Sequence, residues 1–303
     1  MESLGNQEKA KSTKSMIKWR ERWANMMFFA IAVISSPAVW ATWIGHWAYG
    51  WGCYAFFTTI PSFMKQVLFL DIQANGLVSS IPYITLWLTC IVSGFIADHV
   101  LIEKKLLSIK STRKVYTGTG LIGPGLVILL LWFTDCRRSV LAVVIFTVGV
   151  ALTGLSTSGW IANYNDIAKD YSGVLYSVGN TVCALTGYLA PTVFGLFTRA
   201  SQSHTAWALA YTLTAAILVF GGTWFCIFAE GDEQPWAKAK RERETATAKA
   251  GLDTKENVQV TFHAGVNMQR EEEPVKLDAD ADADTDADAD ADADADAVAF
   301  TDK

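Results

Sequence analysis

Hydrophobic and polar positions along this chain fall into blocks. Residues 37 to 229 are strongly apolar, and both ends are polar and charged. From Trp23 to Met64 no residue is charged, a stretch of 42 residues. One membrane-crossing helix needs about 20 such residues, so this stretch is too long for one span. Its only break is Ser35-Ser36-Pro37. The pattern predicts a span over Pro37–Lys65, with Trp23–Ile34 lying at the membrane interface or forming an irregular insertion. Further spans are predicted at Leu77–Ala97, Tyr116–Phe133, Val140–Ile161, Val174–Phe197 and Trp207–Phe228, each bounded by charge. The total is six. The predicted organisation is an arm (1–36), a six-helix transmembrane domain (37–229) and a polar tail (230–303).

Charge then orients these spans, because Lys and Arg favour the cytosolic side. With six crossings, one side collects residues 1–22, the Leu101–Lys114 loop, Asn163–Tyr171 and the start of the tail. These hold 6, 5, 1 and 4 Lys or Arg. The other side has Lys65, Arg137, Arg138 and Arg199. Sixteen against four predicts both termini in the cytosol. A seventh span before Pro37 would put the basic arm outside. The net charge of −5 comes from the tail, where residues 278–303 carry eleven Asp and one Lys. Asp alternating with Ala repels itself and offers little to bury, which predicts disorder. The five cysteines and four histidines show no paired or boxed spacing, so no disulfide, metal or catalytic framework is implied.

Polar residues inside the spans are the candidates for chemistry, since they usually face a protein interior or a watery cavity. The richest stretch is Gly159–Pro191. Asn163, Asn165, Asp166, Lys169, Asp170 and Tyr171 form a polar elbow there, followed by Ser177, Asn180, Thr181 and Thr186 in an apolar run. Asn180 either binds a solute or bridges to a neighbouring helix. In the first span Tyr49, Trp51 and Tyr54 line a solute path or form an aromatic packing stripe, with His46 one turn from Tyr49. Gly94 and Asp98 sit one turn apart where the second span meets water, near Arg113 and Lys114. Asp98 either pairs with those cations across a helix interface or marks the boundary. Gly118-Thr-Gly-Leu-Ile-Gly123 matches G-x-G-x-x-G but sits inside a span, where small residues serve helix packing rather than a dinucleotide.

Several pieces together resemble a known family. The pattern N-x-x-D-I-A-x-x-Y-x-G-x-L spans Asn163 to Leu175, followed by Gly179-Asn180-Thr181 and Gly187 to Pro191. Ser36-Pro-Ala-Val-Trp-Ala41, His46 to Tyr54, Leu77-Val-Ser-Ser-Ile-Pro-Tyr83, Gly94-Phe-Ile-Ala-Asp98 and Gly231-Asp-Glu-Gln-Pro-Trp-Ala237 also match, in order. This is similar to the anion:cation symporter family of the major facilitator superfamily, and to its sialin-like branch most of all. The family has two six-helix halves, and the resemblance is to the second. Departures are Tyr164 in place of a histidine, Lys169 in place of a proline, and Arg22–Ile34, which fit no family pattern.

The resemblance implies an all-α membrane protein: the six-helix half of a major facilitator fold with a disordered acidic tail. It implies transport of small organic or inorganic anions by alternating access, coupled to protons or sodium, with no cofactor, metal or enzymatic step. Tyr49, Tyr54, Asn180 and Thr181 are the expected substrate-binding residues. Gly94, Asp98, Asn163 and Asp166 are the expected conformational gate. Expected partners are the lipid bilayer, a small anionic solute, and the missing N-terminal half or a full-length homologue; no nucleic acid is expected. As a fragment the chain is expected to be inactive by itself, and the alternative is a non-transporting regulator of full-length relatives. The expected location is a lysosomal, vesicular or plasma membrane.

Overall fold

The structure is a computed structural model. It describes residues 16, 19–20, 23–239, 241–243 and 245–246. The predicted disorder of the Asp-Ala tail lies outside the described residues.

No strand occurs among the described residues. Residues 235–239, 241–243 and 245–246 are helical, and eight further α-helices form the body of the described residues. They are α1 (Trp23–Ile34), α2 (Pro37–Gln66), α3 (Ile72–Phe95), α4 (Ile109–Ile128), α5 (Ser139–Leu155), α6 (Ala162–Ala168), α7 (Ser172–Thr198) and α8 (His204–Phe228). A π-helical segment, Ile96–Ile102, prolongs α3, and a second, Thr157–Ile161, joins α5 to α6. Proline at the first position of α2 suits a helix start, where an amide hydrogen has no partner to lose. Ser108 and Ser203 cap α4 and α8, each side chain accepting a backbone N–H of the first turn.

By length and composition, four helical runs suffice to cross a membrane: Asn75–Ile102, Ile109–Phe133, Ser139–Thr198 and His204–Phe228. Together α1 and α2, bent by 68°, make a fifth. Ser139–Thr198 is 60 residues long, enough for two crossings, and the side-chain register shows that it is two. Along α2 and α7, positions rise together: Trp43 and His46 pack on Gly179, Gly50 on Cys183, Tyr54 on Gly187. Against α8 they run oppositely, Gly45 meeting Phe225 and Gly52 meeting Leu218. In turn α8 opposes α4 (Gly118 on Cys226, Gly125 on Val219), and α4 opposes α5 (Gly120 on Ser156, Gly123 on Leu152). Residues of α3 rise with α5, since Leu86 and Thr89 sit at Gly154 while Ser93 sits at Ser158. The long helices therefore alternate strictly in direction: α2, α4 and α7 one way, α3, α5 and α8 the other.

The reversal between α5 and α7 falls at the elbow. Lys169, at the C-cap of α6, takes φ 39° and ψ −105°, a left-handed backbone that favours glycine. Six alternating crossings bring the start of α2 and the segment after α8 to one end of the bundle. There Ser36 Oγ donates to Gln234 Oε1 at 3.2 Å.

Lipid is as apolar as leucine, so packing rather than hydrophobic exclusion holds such helices together. The glycines of the Gly118–Gly123 motif do this inside α4: Gly118 faces α8, and Gly120 and Gly123 face α5. A Cβ at Gly120 or Gly159 would run into backbone atoms of the facing helix. Two buried clusters result. The larger joins Phe56, Phe63, Phe146, Trp207, Tyr211 and Leu218 towards one end. The smaller joins Val39, Trp160, Tyr164, Ile167, Leu175 and Phe225 near the elbow.

Candidate functional site: a charged node beside a polar wall

Arg113, in the first turns of α4, is the centre of the site. Its side chain is 8% exposed, although an arginine at a helix end would ordinarily reach water. Three groups hold it there. Nε donates to Asp166 Oδ2 of α6 at 2.7 Å. One Nη donates to the Ser158 carbonyl at 2.9 Å. The same nitrogen lies 3.6 Å from Asp98 Oδ1. The two carboxylates differ sharply: Asp166 is 14% exposed and Asp98 is 63% exposed. One short, sheltered pair and one long, wet pair thus meet on a single guanidinium.

Both π-helical segments flank this node. Asp98 lies in one and Ser158 in the other. Inserting one residue per turn shifts the hydrogen-bond ladder and re-aims carbonyls, which is how Ser158 presents its oxygen to Arg113. The last turn of α3 touches the second segment through Ser93 and Ser158, whose hydroxyls are 2.9 Å apart. Gly94 is close by: a Cβ there would stand 3.9 Å from Ser158 Oγ. So Asp98 and Asp166, expected from the sequence as gate residues, converge on Arg113, and Gly94 lies beside Ser158. The pairing of Asp98 with that cation is one of the two readings left open above.

Asn163, the fourth expected gate residue, is fully buried and works one helical turn away. Its Oδ1 accepts from Thr42 Oγ1 at 2.8 Å, and its Nδ2 donates to the Glu230 carbonyl at 2.6 Å. It ties the elbow to α2 and to the segment after α8. That segment crosses the end of the bundle. Glu230 pairs with Lys110 at 2.6 Å, the Gln234 amide donates to the Ile167 carbonyl at 2.9 Å, and Glu233 takes both Lys169 and Arg241. The sequence showed Gly231-Asp-Glu-Gln-Pro-Trp-Ala237 as a motif but not that it straps the elbow down.

The expected substrate-binding residues occupy α2 and α7. Tyr49 is half-buried with its ring 5.1 Å from that of Trp160. Tyr54 is 38% exposed and lies over Gly187. Asn180 and Thr181 are exposed, the Thr181 hydroxyl donating to the Ser177 carbonyl one turn back at 2.9 Å. Tyr54, Asn180 and Thr181 lie exposed on the outside of the bundle, within the long helices α2 and α7. Tyr49 sits behind them in the packed aromatic layer.

That layer holds a group that the sequence left unassigned. His46 is 2% exposed, stacked between Trp160 (3.9 Å) and Tyr176 (5.4 Å). Its Nδ1 lies 3.1 Å from the Tyr164 hydroxyl. Gly179 makes room for this pair; a Cβ there would collide with Tyr164 and Trp43. Tyr164 is one of the departures noted above, and its hydroxyl joins α6 to α2. Among the described residues, no group of three metal-ligating side chains converges.

Similarity to known proteins now bears on this geometry. No protein-family model matches the chain. A protein of Caenorhabditis elegans described as an uncharacterized transporter, slc-17.2, is 40% identical over 212 residues, 70% of this chain and 43% of its own length. Human sialin is 34% identical over 68% of this chain and 41% of its own. A Drosophila ananassae protein described as a putative inorganic phosphate cotransporter is 33% identical over 74% of this chain and 49% of its own. The chain is a homologue of the anion:cation symporters. It spans less than half the length of the relatives it matches. Among solved structures, a peptide transporter crystallised with alafosfalin covers 75% of this chain and 49% of its own, at 15% identity and a TM-score of 0.49.

Its apolar helices and these relatives mark the chain as a multi-pass membrane protein. A further relative, from Caenorhabditis elegans, is described as a probable vesicular glutamate transporter, eat-4, at 29% identity over 70% of this chain and 36% of its own length.

Proposed function

We propose that this chain supplies one wall and one gate of an anion transporter that works by alternating access. The observation that carries the reading is the asymmetric node at Arg113. A helix end held at 3.6 Å through an exposed Asp98 can part from α4 at little cost, while Asp166 keeps α6 and α4 together. The ends of α3 and of the α5–α6 arm then separate or close as units, which is what rocking of one helical bundle against another requires. The wall is the outer side of α2 and α7 bearing Tyr54, Asn180 and Thr181, with Tyr49 behind.

Hydroxyls and an amide suit the oxygens of a small anion, an acidic sugar, phosphate or glutamate among them. They supply no positive charge. The counter-charge and the opposite wall come from a complementary six-helix half, and proton or sodium is the coupling ion. Exposed polar atoms at membrane depth support this, because facing hydrocarbon they would be costly. The basic residues near Arg113 favour the cytosolic side for that end; both termini in the cytosol and a lysosomal, vesicular or plasma membrane belong to the same reading.

Uptake into proteoliposomes tests the proposal. The chain is reconstituted alone, and together with the amino-terminal six helices of a full-length relative. Labelled N-acetylneuraminate, phosphate and glutamate are offered under proton and sodium gradients. The expected result is no uptake alone and gradient-driven uptake of one anion with the complement. Uptake by the chain alone would overturn the half-transporter reading. Stoichiometric co-purification with a full-length homologue, without uptake by the reconstituted pair, would replace it with the regulator reading.

A further inference from the structure

Helix α1 belongs to no part of the transporter described above, and it breaks off sharply from the bundle. Its axis is bent 68° from that of α2. The corner is built to stay bent. Ser36 is extended, Pro37 opens α2 without an amide hydrogen, and Trp40 Nε1 donates to the Ile34 carbonyl at 2.7 Å. The last carbonyls of α1 are thereby satisfied without continuing the helix.

The uncharged part of this helix, Trp23–Ile34, measures about 18 Å, well short of the ~30 Å of a hydrocarbon core, and Arg20, Glu21 and Arg22 precede it. So α1 does not cross a membrane by itself. It touches the protein along one narrow stripe: Val33 is buried, and the Phe29 ring lies 5.1 Å from Tyr171 and 5.5 Å from Trp236. Those contacts place it at the bundle end that carries Arg113 and Glu230. The rest of its surface is large, apolar and open: Trp23, Met26, Met27, Phe28, Ile31 and Ile34 are each more than half exposed, and no residue from Trp23 to Ile34 is charged. A contiguous patch of this kind marks an interaction site.

Two observations say what covers it. The patch belongs to a membrane protein and sits where the spans emerge, so the adjoining phase is the headgroup–acyl boundary. The residues leading into it are basic, with six Lys or Arg and one Glu between Lys9 and Arg22. Trp19 and Trp23, with rings 5.3 Å apart, stand at the junction of the basic and apolar parts. Tryptophan in that position is typical of membrane–water interfaces.

We propose that α1 is an in-plane lipid anchor. It seats just beneath the headgroups of the leaflet at the gate end of the bundle, and the basic residues before it bind anionic phospholipid there. Through Phe29 the anchor bears on Tyr171, directly after the α6 elbow that holds Asp166. The inference needs only that the bundle spans a membrane; it is independent of the solute carried.

Spin labels on the full chain in nanodiscs test the seat. Single cysteines replace Met27, Phe28 and Val33 in turn, in a background with the native cysteines changed to alanine. Depth is read from oxygen against nickel-chelate accessibility. Labels at Met27 and Phe28 are expected at about 5–10 Å below the phosphates, with the Val33 label immobilised against protein. Labels accessible to nickel as in water, or depths that increase steadily along α1 to the bilayer centre, would overturn the proposal.

The lipid preference is tested by mass spectrometry of lipids retained by chain purified from mixed phosphatidylcholine and phosphatidylserine vesicles. Phosphatidylserine is expected to be enriched. Changing Lys14, Lys18, Arg20 and Arg22 to glutamine should lower that enrichment about tenfold or more. High salt should do the same to the unaltered chain, which keeps the test decisive if the variant folds poorly. Equal retention of the two lipids by the unaltered chain at low salt would refute the anionic selection.

Discussion

Changing Arg113 to glutamine isolates the energetics of the gate node. The substitution keeps a polar side chain of similar reach but removes the charge and the Nε donor. Asp166, 14% exposed, loses a 2.7 Å partner, and the Ser158 carbonyl loses a 2.9 Å one. Removing one member of a buried pair costs about 3–5 kcal/mol, most of it from the charge left behind. Asp98 contributes little to this loss. It is 63% exposed and 3.6 Å away, a geometry worth about 1 kcal/mol or less. A double-mutant cycle separates the two. Arg113→Gln, Asp166→Asn, Asp98→Asn and the paired variants are unfolded by SDS titration in mixed micelles, and free energies are compared. The expected coupling is about 2–3 kcal/mol for Arg113 with Asp166 and below about 1 kcal/mol for Arg113 with Asp98. Asp166→Asn should also be rescued in part by Arg113→Gln. If the Asp98 coupling equals or exceeds that of Asp166, the two-strength gate is wrong, and with it the account of which helices part first.

Three further outcomes follow from the same geometry. Asn163→Ala leaves the Thr42 hydroxyl and the Glu230 carbonyl without this partner in a fully buried site, so the same titration should show a loss of about 2–4 kcal/mol. Lys169→Gly relieves a left-handed backbone that costs about 1–3 kcal/mol and gives up an ion pair at 3.4 Å between a half-exposed lysine and Glu233, which keeps Arg241; a net gain of about 0.5–1 kcal/mol is expected, and a loss would show that the elbow is not strained. Asn180→Leu, on an exposed face, should change stability by no more than about 0.5 kcal/mol yet abolish uptake by the reconstituted pair; unchanged uptake would remove Asn180 from the solute path.

Six long apolar helices were legible in the sequence, because hydrocarbon imposes a length and charge marks where it ends, though α4 begins at Ile109, seven residues before the predicted Tyr116. The elbow was legible too, as a cluster of polar residues between two apolar runs. The closeness of Asp98 and Arg113 was open to view, since they flank one short loop. Other relations were not. Arg113 and Asp166 are 53 residues apart, and Asn163 and Glu230 are 67 apart. Nothing in either segment states which helices will be neighbours. The role of His46 was hidden for the same reason: its partners Trp160, Tyr164 and Tyr176 come from beyond three or more reversals of the chain, Tyr164 being 118 residues away.

What the residues alone determined is a set of rods and their alternation: each apolar run must satisfy its own backbone in lipid, so it becomes a helix, and each polar break turns the chain back. What only the packed bundle decided is which rods touch and which carboxylate receives the arginine. Glycines at Gly120, Gly159 and Gly179 permit approaches that larger residues would forbid. Those approaches bring Ser158 and Asp166 to Arg113 while leaving Asp98 in water. Distance along the chain carries no information about such contacts, because they depend on side-chain volume across an interface rather than on the period of any one helix.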